Sequence, residues 1–290
     1  MKDFISHYSA AKIWDIPYIE TVFDSKILEM DTVDITIARR DERFSQRGVK
    51  LYLCQLPLPP SAVVLRNGQR VASPELVFLQ LATKLSPLRH ILLGLQLCSN
   101  PPGKPLAAIS TKQKLKIFLT KTTGHRGNNR ALQSLRYIED GSASVMESLA
   151  HMILTLPHSL GGYGLKGAIF NHEIKLGNEG VLRLGKKRCF ADLYYKSHKL
   201  AVEYESFAFH NSPLEQGRDI IRAAILEKQG VGVMRLSTLQ LYDEDACMDF
   251  AINLASRLGK RIQIRTNGFK DNHKLIRELL PIGGTCTDSK

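Results

Sequence analysis

The chain has 290 residues, 43% of them hydrophobic and 23% charged, and carries a net charge of +12 at neutral pH. That is the composition of a globular protein of one large or two ordinary domains, with a sizeable core and no long low-complexity segment. No apolar run approaches the roughly 18–20 residues of a membrane span, and the start, "MKDFISHYSAAKIW", lacks the apolar core and cleavage site of a secretion signal.

Five dispersed cysteines without a CxxC pair point to reduced thiols and away from a structural zinc site. The expectation is a cytoplasmic protein with no membrane association.

Taken in chain order, the first third mixes turns with strand signals at "TVDITIA" (Thr32 to Ala38), "VKLYL" (Val49 to Leu53) and "AVVLR" (Ala62 to Arg66). A helix opens at "SPELVFLQLATKL", where Ser73 is placed to cap and Pro74 to occupy the first helical position. After a Pro/Gly break at Asn100 to Pro105 come a basic helix around "TKQKLKIFL", a Gly/Asn loop at Thr123 to Asn129 and the short helix "RALQSLRYI". The stretch between Glu75 and Glu139 holds no acidic residue but has ten lysines and arginines. It therefore supplies +10 of the net +12. A one-sided charge of that kind suits a polyanion, most simply nucleic acid, with Lys112, Lys114, Lys116, Arg126 and Arg130 as candidate contacts.

The acid-free stretch ends at "EDGS" (Glu139 to Ser142), which marks the expected boundary between an N-terminal α+β domain, residues 1–138, and a second domain, residues 139–280. Residues 281–290, "PIGGTCTDSK", read as a disordered tail. In the second domain a helix starts after Ser144. Strand signals follow at "AIFNHEIKL" (Ala168 to Leu176), "VLRL" (Val181 to Leu184), "RCFADLYY" (Arg188 to Tyr195) and "KLAVEYES" (Lys199 to Ser206). The helix "SPLEQGRDIIRAAILEKQG", from Ser212 to its stop at Gly230, leads to the buried strand "VGVMRLS" and a closing amphipathic helix. A hairpin-linked set of strands with a crossover helix to one more strand implies a mixed sheet with helices on both faces, an α/β architecture.

The chemistry gathers on "VEYES". Residues two apart on a strand share a face, so Glu203 and Glu205 point the same way. The short link "KSH" (Lys196 is followed by Ser197 and His198) lets Asp192 of the preceding strand lie beside Glu203. Three carboxylates need a counter-charge, and a hard divalent cation, Mg²⁺ or Mn²⁺, is an economical one, with Asp192, Glu203 and Glu205 as ligands. Basic neighbours such as Lys187, Arg188 or Lys199 are the alternative counter-charges.

In combination, "ADLYYKSHKLAVEYESFAFH…GRDIIRAAILEKQGVGVMRLS" resembles the catalytic core of the PD-(D/E)xK nuclease superfamily, in the branch related to very-short-patch-repair endonucleases. The resemblance implies a restriction-endonuclease-like fold and metal-dependent hydrolysis of phosphodiesters, in DNA by preference over RNA. It matches Asp192 to the first aspartate, Glu203 and Glu205 to the acidic strand pair, and His210 to the following histidine. Asp219 and Arg222 match D-x-x-R, Gly230, Val233 and Arg235 match the last strand, and Glu147 matches the upstream helix glutamate. The usual superfamily lysine is absent, and Glu205-Ser206 stands where the branch has aspartate and glycine.

The N-terminal half is similar to proteins related to abortive-infection type IV antitoxins, through "SAAKIW", "SPELVFLQLATKL" and "GHRGNNRALQSLRYIEDGSASVMESL". That implies a phage-defence or toxin–antitoxin setting, although no winged helix-turn-helix pattern is present. A nucleic-acid-binding regulator or antitoxin without catalysis is the alternative function, and docking of an acidic protein partner is a third.

Several residues keep two readings. Glu147 follows Ser144 in S-x-x-E, so it serves a capping box, a metal site or both. His210 either positions water or is a solvated loop residue. Arg218 and Arg222 share a helix face that can grip phosphate. Lys186, Lys187 and Arg188 are either a phosphate grip or a solvated turn. Lys199 is a candidate displaced lysine, and Phe207 and Phe209 either stack on bases or fill the core.

Overall fold

The computed structural model describes residues 3–101, 108–205 and 213–281, and these divide between Asp140 and Gly141 into two compact units. Each unit is built on its own mixed sheet. Tail residues 282–290, the Ser206–Ser212 segment with His210, Phe207 and Phe209, and the Lys104 loop lie outside the described residues. No helix among the described residues is long and apolar enough to cross a membrane.

Unit 1 contains β1 (Phe4–Ile5), α1 (His7–Ile13), α2 (Ile19–Val22), α3 (Ser25–Glu29), β2 (Val33–Ile37), β3 (Val49–Leu53), β4 (Val63–Arg66) and β5 (Gln69–Ala72). The helices α4 (Pro74–Leu81), α5 (Pro87–Leu97), α6 (Lys112–Lys121) and α7 (Asn128–Leu135) follow. Its sheet runs β3-β2-β1-β5-β4, with β1–β5 and β2–β3 parallel and the other pairs antiparallel. The buried Asp34 carboxylate of β2 accepts the backbone N–H groups of Tyr8 and Ser9, which fixes the start of α1 to the sheet. Ser73, Ser86 and Thr111 each accept an N–H in the first turn of α4, α5 and α6. The apolar periodicity that buries α4 and α5 then packs the two-helix layer of α6 and α7 over them.

Unit 2 contains α8 (Val145–Thr155), β6 (Ala168–Lys175), α9 (Asn178–Leu184), β7 (Arg188–Tyr195), β8 (Leu200–Glu205), α10 (Pro213–Lys228) and β9 (Gly232–Ser237). It closes with α11 (Thr238–Tyr242), α12 (Glu244–Arg257) and α13 (Phe269–Arg277). The sheet order is β6-β7-β8-β9; the first three strands are antiparallel and β9 is parallel to β8. Helix α8 lies on one face, where His151 meets Phe170, and α10 packs Ile225 and Leu226 with Tyr194 and Ala201 of the sheet. The αβββαβ skeleton expected from the sequence is present, with one correction.

"VLRL" is helical, as part of α9. Gly177 and the left-handed Gly185 bracket the segment, and Glu179 and Arg183 pair across one turn. Leu182 is 87% exposed, so the residue spacing never served a sheet face. Sequence reading also passed over α5, α11 and α13, and over β1, β5 and α1 to α3, which are too short to show a clear period.

One irregularity sets the site. In the β6–β7 ladder the pairs run Phe170↔Leu193 and then His172↔Ala191, leaving Asn171 opposite Asp192 outside the bonded set. Asn171 has φ +44°, a left-handed conformation that asparagine tolerates better than most side chains. The twist brings His172 round to stack on Tyr194, with ring centroids 4.5 Å apart. Asn171 Nδ2 donates to Gly141 O at 2.6 Å and to Glu147 Oε2 at 3.4 Å, so one side chain ties the kink to the start of α8. Asn171→Ala removes both bonds and leaves the positive φ, and should destabilise unit 2 by about 1–3 kcal/mol. Urea denaturation checks this; a change below ~0.5 kcal/mol, the level of an ordinary surface substitution, would show that the side chain does not hold the kink.

Candidate active site at the splayed end of β7 and β8

The bonded pairs between β7 and β8 stop at Leu193↔Val202. One step further, where Asp192 and Glu203 would face each other, side chains take over from the backbone. Asp192 Oδ2 accepts the Tyr204 N–H at 2.8 Å, and Arg222 of α10 donates from Nη2 to the Phe190 carbonyl at 3.2 Å. The same Arg222 Nη2 lies 2.5 Å from Glu203 Oε1. This is a close charge contact and not an aligned hydrogen bond, since Oε1 is buried and has no partner of good geometry among the described residues.

Glu147 enters from α8. Ser144 Oγ accepts the Glu147 N–H at 3.1 Å, and Glu147 Oε2 reaches back to the Ala143 N–H at 2.9 Å. The sequence-expected cap is thus realised one residue earlier on the return bond. The side chain also faces the site: burial, followed by the nearby Asp192 charge, pushes the Glu147 carboxyl up to about 8 against the hydrogen bonds from Ala143, Ser144 and Asn171. Burial raises Asp192 and Glu203 as well, opposed at Asp192 first by the Tyr204 N–H and at Glu203 first by the Arg222 charge. Burial is the largest influence on Arg222 and works against its charge, while Glu203, with Cys189 and Asp192, turns the net shift upward.

Glu147, Asp192, Glu203 and Arg222 are therefore brought together. Glu205 is not: it is half exposed and pairs with Arg235 of β9 at 3.2 Å. Arg235 also donates to the Asp219 carbonyl at 3.4 Å. Lys199 sits at the opposite end of β8 in a left-handed conformation, four residues before Glu203, on the order of 13 Å away along an extended strand. His210 lies outside the described residues.

The other candidates distribute as follows. Lys186 and Lys187 are exposed before β7, and Arg188 pairs with Glu173 at 3.0 Å. Lys187 and Arg188 line an open groove of about 650 Å³ with Glu173, Lys175, Val181 and Leu182, and none of Glu147, Asp192 or Glu203 lines it. Arg218 is exposed on α10. In unit 1, Lys114, Lys116, Arg126 and Arg130 are exposed, whereas Lys112 is held by Glu139 at 2.8 Å. Sequence reasoning missed Asn171, Tyr204 and the partner choice of Arg235; only the asparagine, as a residue tolerant of positive φ, left a signal.

Mg²⁺ or Mn²⁺ needs several oxygen ligands converging on one point. Among the described residues no three His, Cys, Asp or Glu side chains form a group that could hold a metal. Glu203 already faces a guanidinium and Glu205 turns to Arg235, so the donors as arranged do not fit the ion expected from the sequence.

The raised Glu147 carboxyl makes stability pH-dependent with a defined sign. Below the unfolded carboxylate value of about 4.3 both states hold the proton. As pH rises toward 8 the unfolded chain releases it and the fold does not, so stability falls across about pH 4.5–8, by an amount on the order of a few kcal/mol. Glu147→Gln should flatten most of that fall, leaving the smaller slope from Asp192 and Glu203, whose shifts have the same direction. Urea titrations at pH 5 and 8 measure it, and an unchanged slope in the variant would remove Glu147 as the source. Compared with family models, curated proteins and solved structures, the chain matches none.

Proposed function

We propose that this is a nucleic-acid-binding protein whose second unit is a restriction-endonuclease-like module, with DNA preferred over RNA and a phage-defence or toxin–antitoxin role. The observation that supports this most is the meeting of Asp192, Glu203 and Arg222 at the end of adjoining strands in an αβββαβ unit, with Glu147 close to Asp192. The charge pairing favours the binding form of the reading. Arg222 and Arg235 neutralise the strand glutamates, the superfamily lysine is absent, and no metal-holding group is assembled among the described residues.

Unit 1 supports the nucleic-acid part independently. Helices α6 and α7 expose Lys114, Lys116, Lys121 and Arg130, the C-terminal cap of α7 exposes Arg136, and the loop between the helices exposes Arg126. No acidic residue lies in the stretch to oppose them. Exposed Asn129, Gln133 and Arg136 fall at i, i+4 and i+7 along α7, so they share a side of the helix. Asparagine, glutamine and arginine are the side chains that pair bidentately with adenine and guanine edges, which favours duplex DNA.

A second reading, Mg²⁺- or Mn²⁺-dependent phosphodiester hydrolysis, is favoured by one observation: Asp192 and Glu203 stay adjacent and Glu147 is beside them. An acidic protein docking on the basic helices has no such specific support.

The experiment is fluorescence anisotropy with labelled duplex DNA, single-stranded DNA and an RNA hairpin, run with Mg²⁺, Mn²⁺ or EDTA, followed by a gel for cleavage. Binding should weaken as salt rises and should survive EDTA. Combining Lys114→Glu, Arg126→Glu and Arg130→Glu should weaken it about tenfold or more and flatten the salt dependence. Asp192→Asn with Glu203→Gln should leave it intact. Cutting that needs the metal and is lost in the carboxylate variant would establish hydrolysis, and no binding to any probe would refute both readings.

A further inference from the structure

We propose that Arg222 is the built-in cation of the unit 2 carboxylate pocket, and that a divalent ion of the Mg²⁺ or Mn²⁺ class is accepted there only when this guanidinium is removed. The proposal rests on reading the pocket as derived from a nuclease-like site, but it does not depend on cleavage or on nucleic-acid binding.

Three features carry it. The guanidinium lies against the buried Oε1 of Glu203, and its electrostatic reach extends to Asp192. It is anchored there by the Phe190 carbonyl of β7. It also comes from α10, so the carboxylates of two neighbouring strands, Asp192 of β7 and Glu203 of β8, share one positive group. A rim arginine pairing an exposed glutamate, as Arg235 does with Glu205, blocks nothing. Arg222 is 29% exposed and Glu203 16%, so this pair sits where charge compensation is required and not optional.

With the guanidinium gone, Glu203 and Asp192 become an uncompensated pair of hard oxygen donors with Glu147 beside them. That combination draws a divalent ion in place of a monovalent charge. Arg222 is thus a positioning residue that decides whether the pocket holds metal.

The test is Mn²⁺ titration of the full-length protein by isothermal calorimetry, with thermal melts with and without Mn²⁺ as the second readout. Wild type should bind weakly and show no melting shift. Arg222→Gln should bind about tenfold tighter or more, melt lower without metal and recover when Mn²⁺ is added. The gain should vanish in Arg222→Gln combined with Glu203→Gln. If Arg222→Gln does not fold, Arg222→Lys, which lacks the planar fork, should show a smaller gain in the same direction. Equal Mn²⁺ affinity in wild type and variant, absence of binding in both, or a gain that survives loss of Glu203 each overturns the proposal. Because no nucleic acid is present, these outcomes are independent of whether unit 1 binds it.

Discussion

Everything at the candidate site depends on how two strands part. Beyond Leu193 and Val202 the backbone ladder of β7 and β8 ends, and the space is closed by side chains, Asp192 toward Tyr204 and Arg222 toward Phe190 and Glu203. A carboxylate drawn out of water costs several kcal/mol unless a partner compensates it. Two of them there make a cation mandatory. The fold answers with a guanidinium from the crossover helix, so the mixed-sheet topology and the charge balance are one solution.

The two glutamates of "VEYES" show how depth changes the meaning of one pairing. Glu205 and Arg235 are half exposed, and a pair in that setting contributes about 0–1 kcal/mol. Glu203 and Arg222 are mostly covered; breaking such a pair by removing one partner typically costs about 3–5 kcal/mol, because the other charge is left behind. Alternation puts both acids on one face, but only the inner one is committed to the pocket.

Much of this was readable in the sequence, and the parts that were not share a cause. Ser73 with Pro74 and Ser144 announced their helices because capping is local chemistry. The link between Tyr195 and Leu200 announced the hairpin, and with it the meeting of Asp192 and Glu203. The face change at Asn171 was hidden because positive φ is set by what surrounds the residue. "VLRL" carried strand-like residues, yet its fate was decided by flanking glycines and by Glu179, which also binds Lys228 of α10. The pairing of Glu203 was hidden because Arg222 reaches it only after α10 has crossed the sheet. Spacing along the chain identifies which acids converge, and tertiary packing decides what neutralises them.

The identity of that neutralising group limits the chemistry available. A lysine can lose its proton when buried, whereas a guanidinium stays charged in any protein setting. Arg222 therefore compensates charge or grips phosphate, and it takes no part in moving protons. The group near neutrality is instead Glu147, raised to about 8 by its own burial and by Asp192. It is held by the α8 cap and by Asn171, the residue that kinks β6. The kink, the cap and the proton-holding carboxyl are joined through one side chain. The proton on Glu147 and the charge on Arg222 together reduce what would be three negative charges to a net of one. That near-balance depends on Arg222: with the guanidinium gone, Asp192 and Glu203 would be left without a cation.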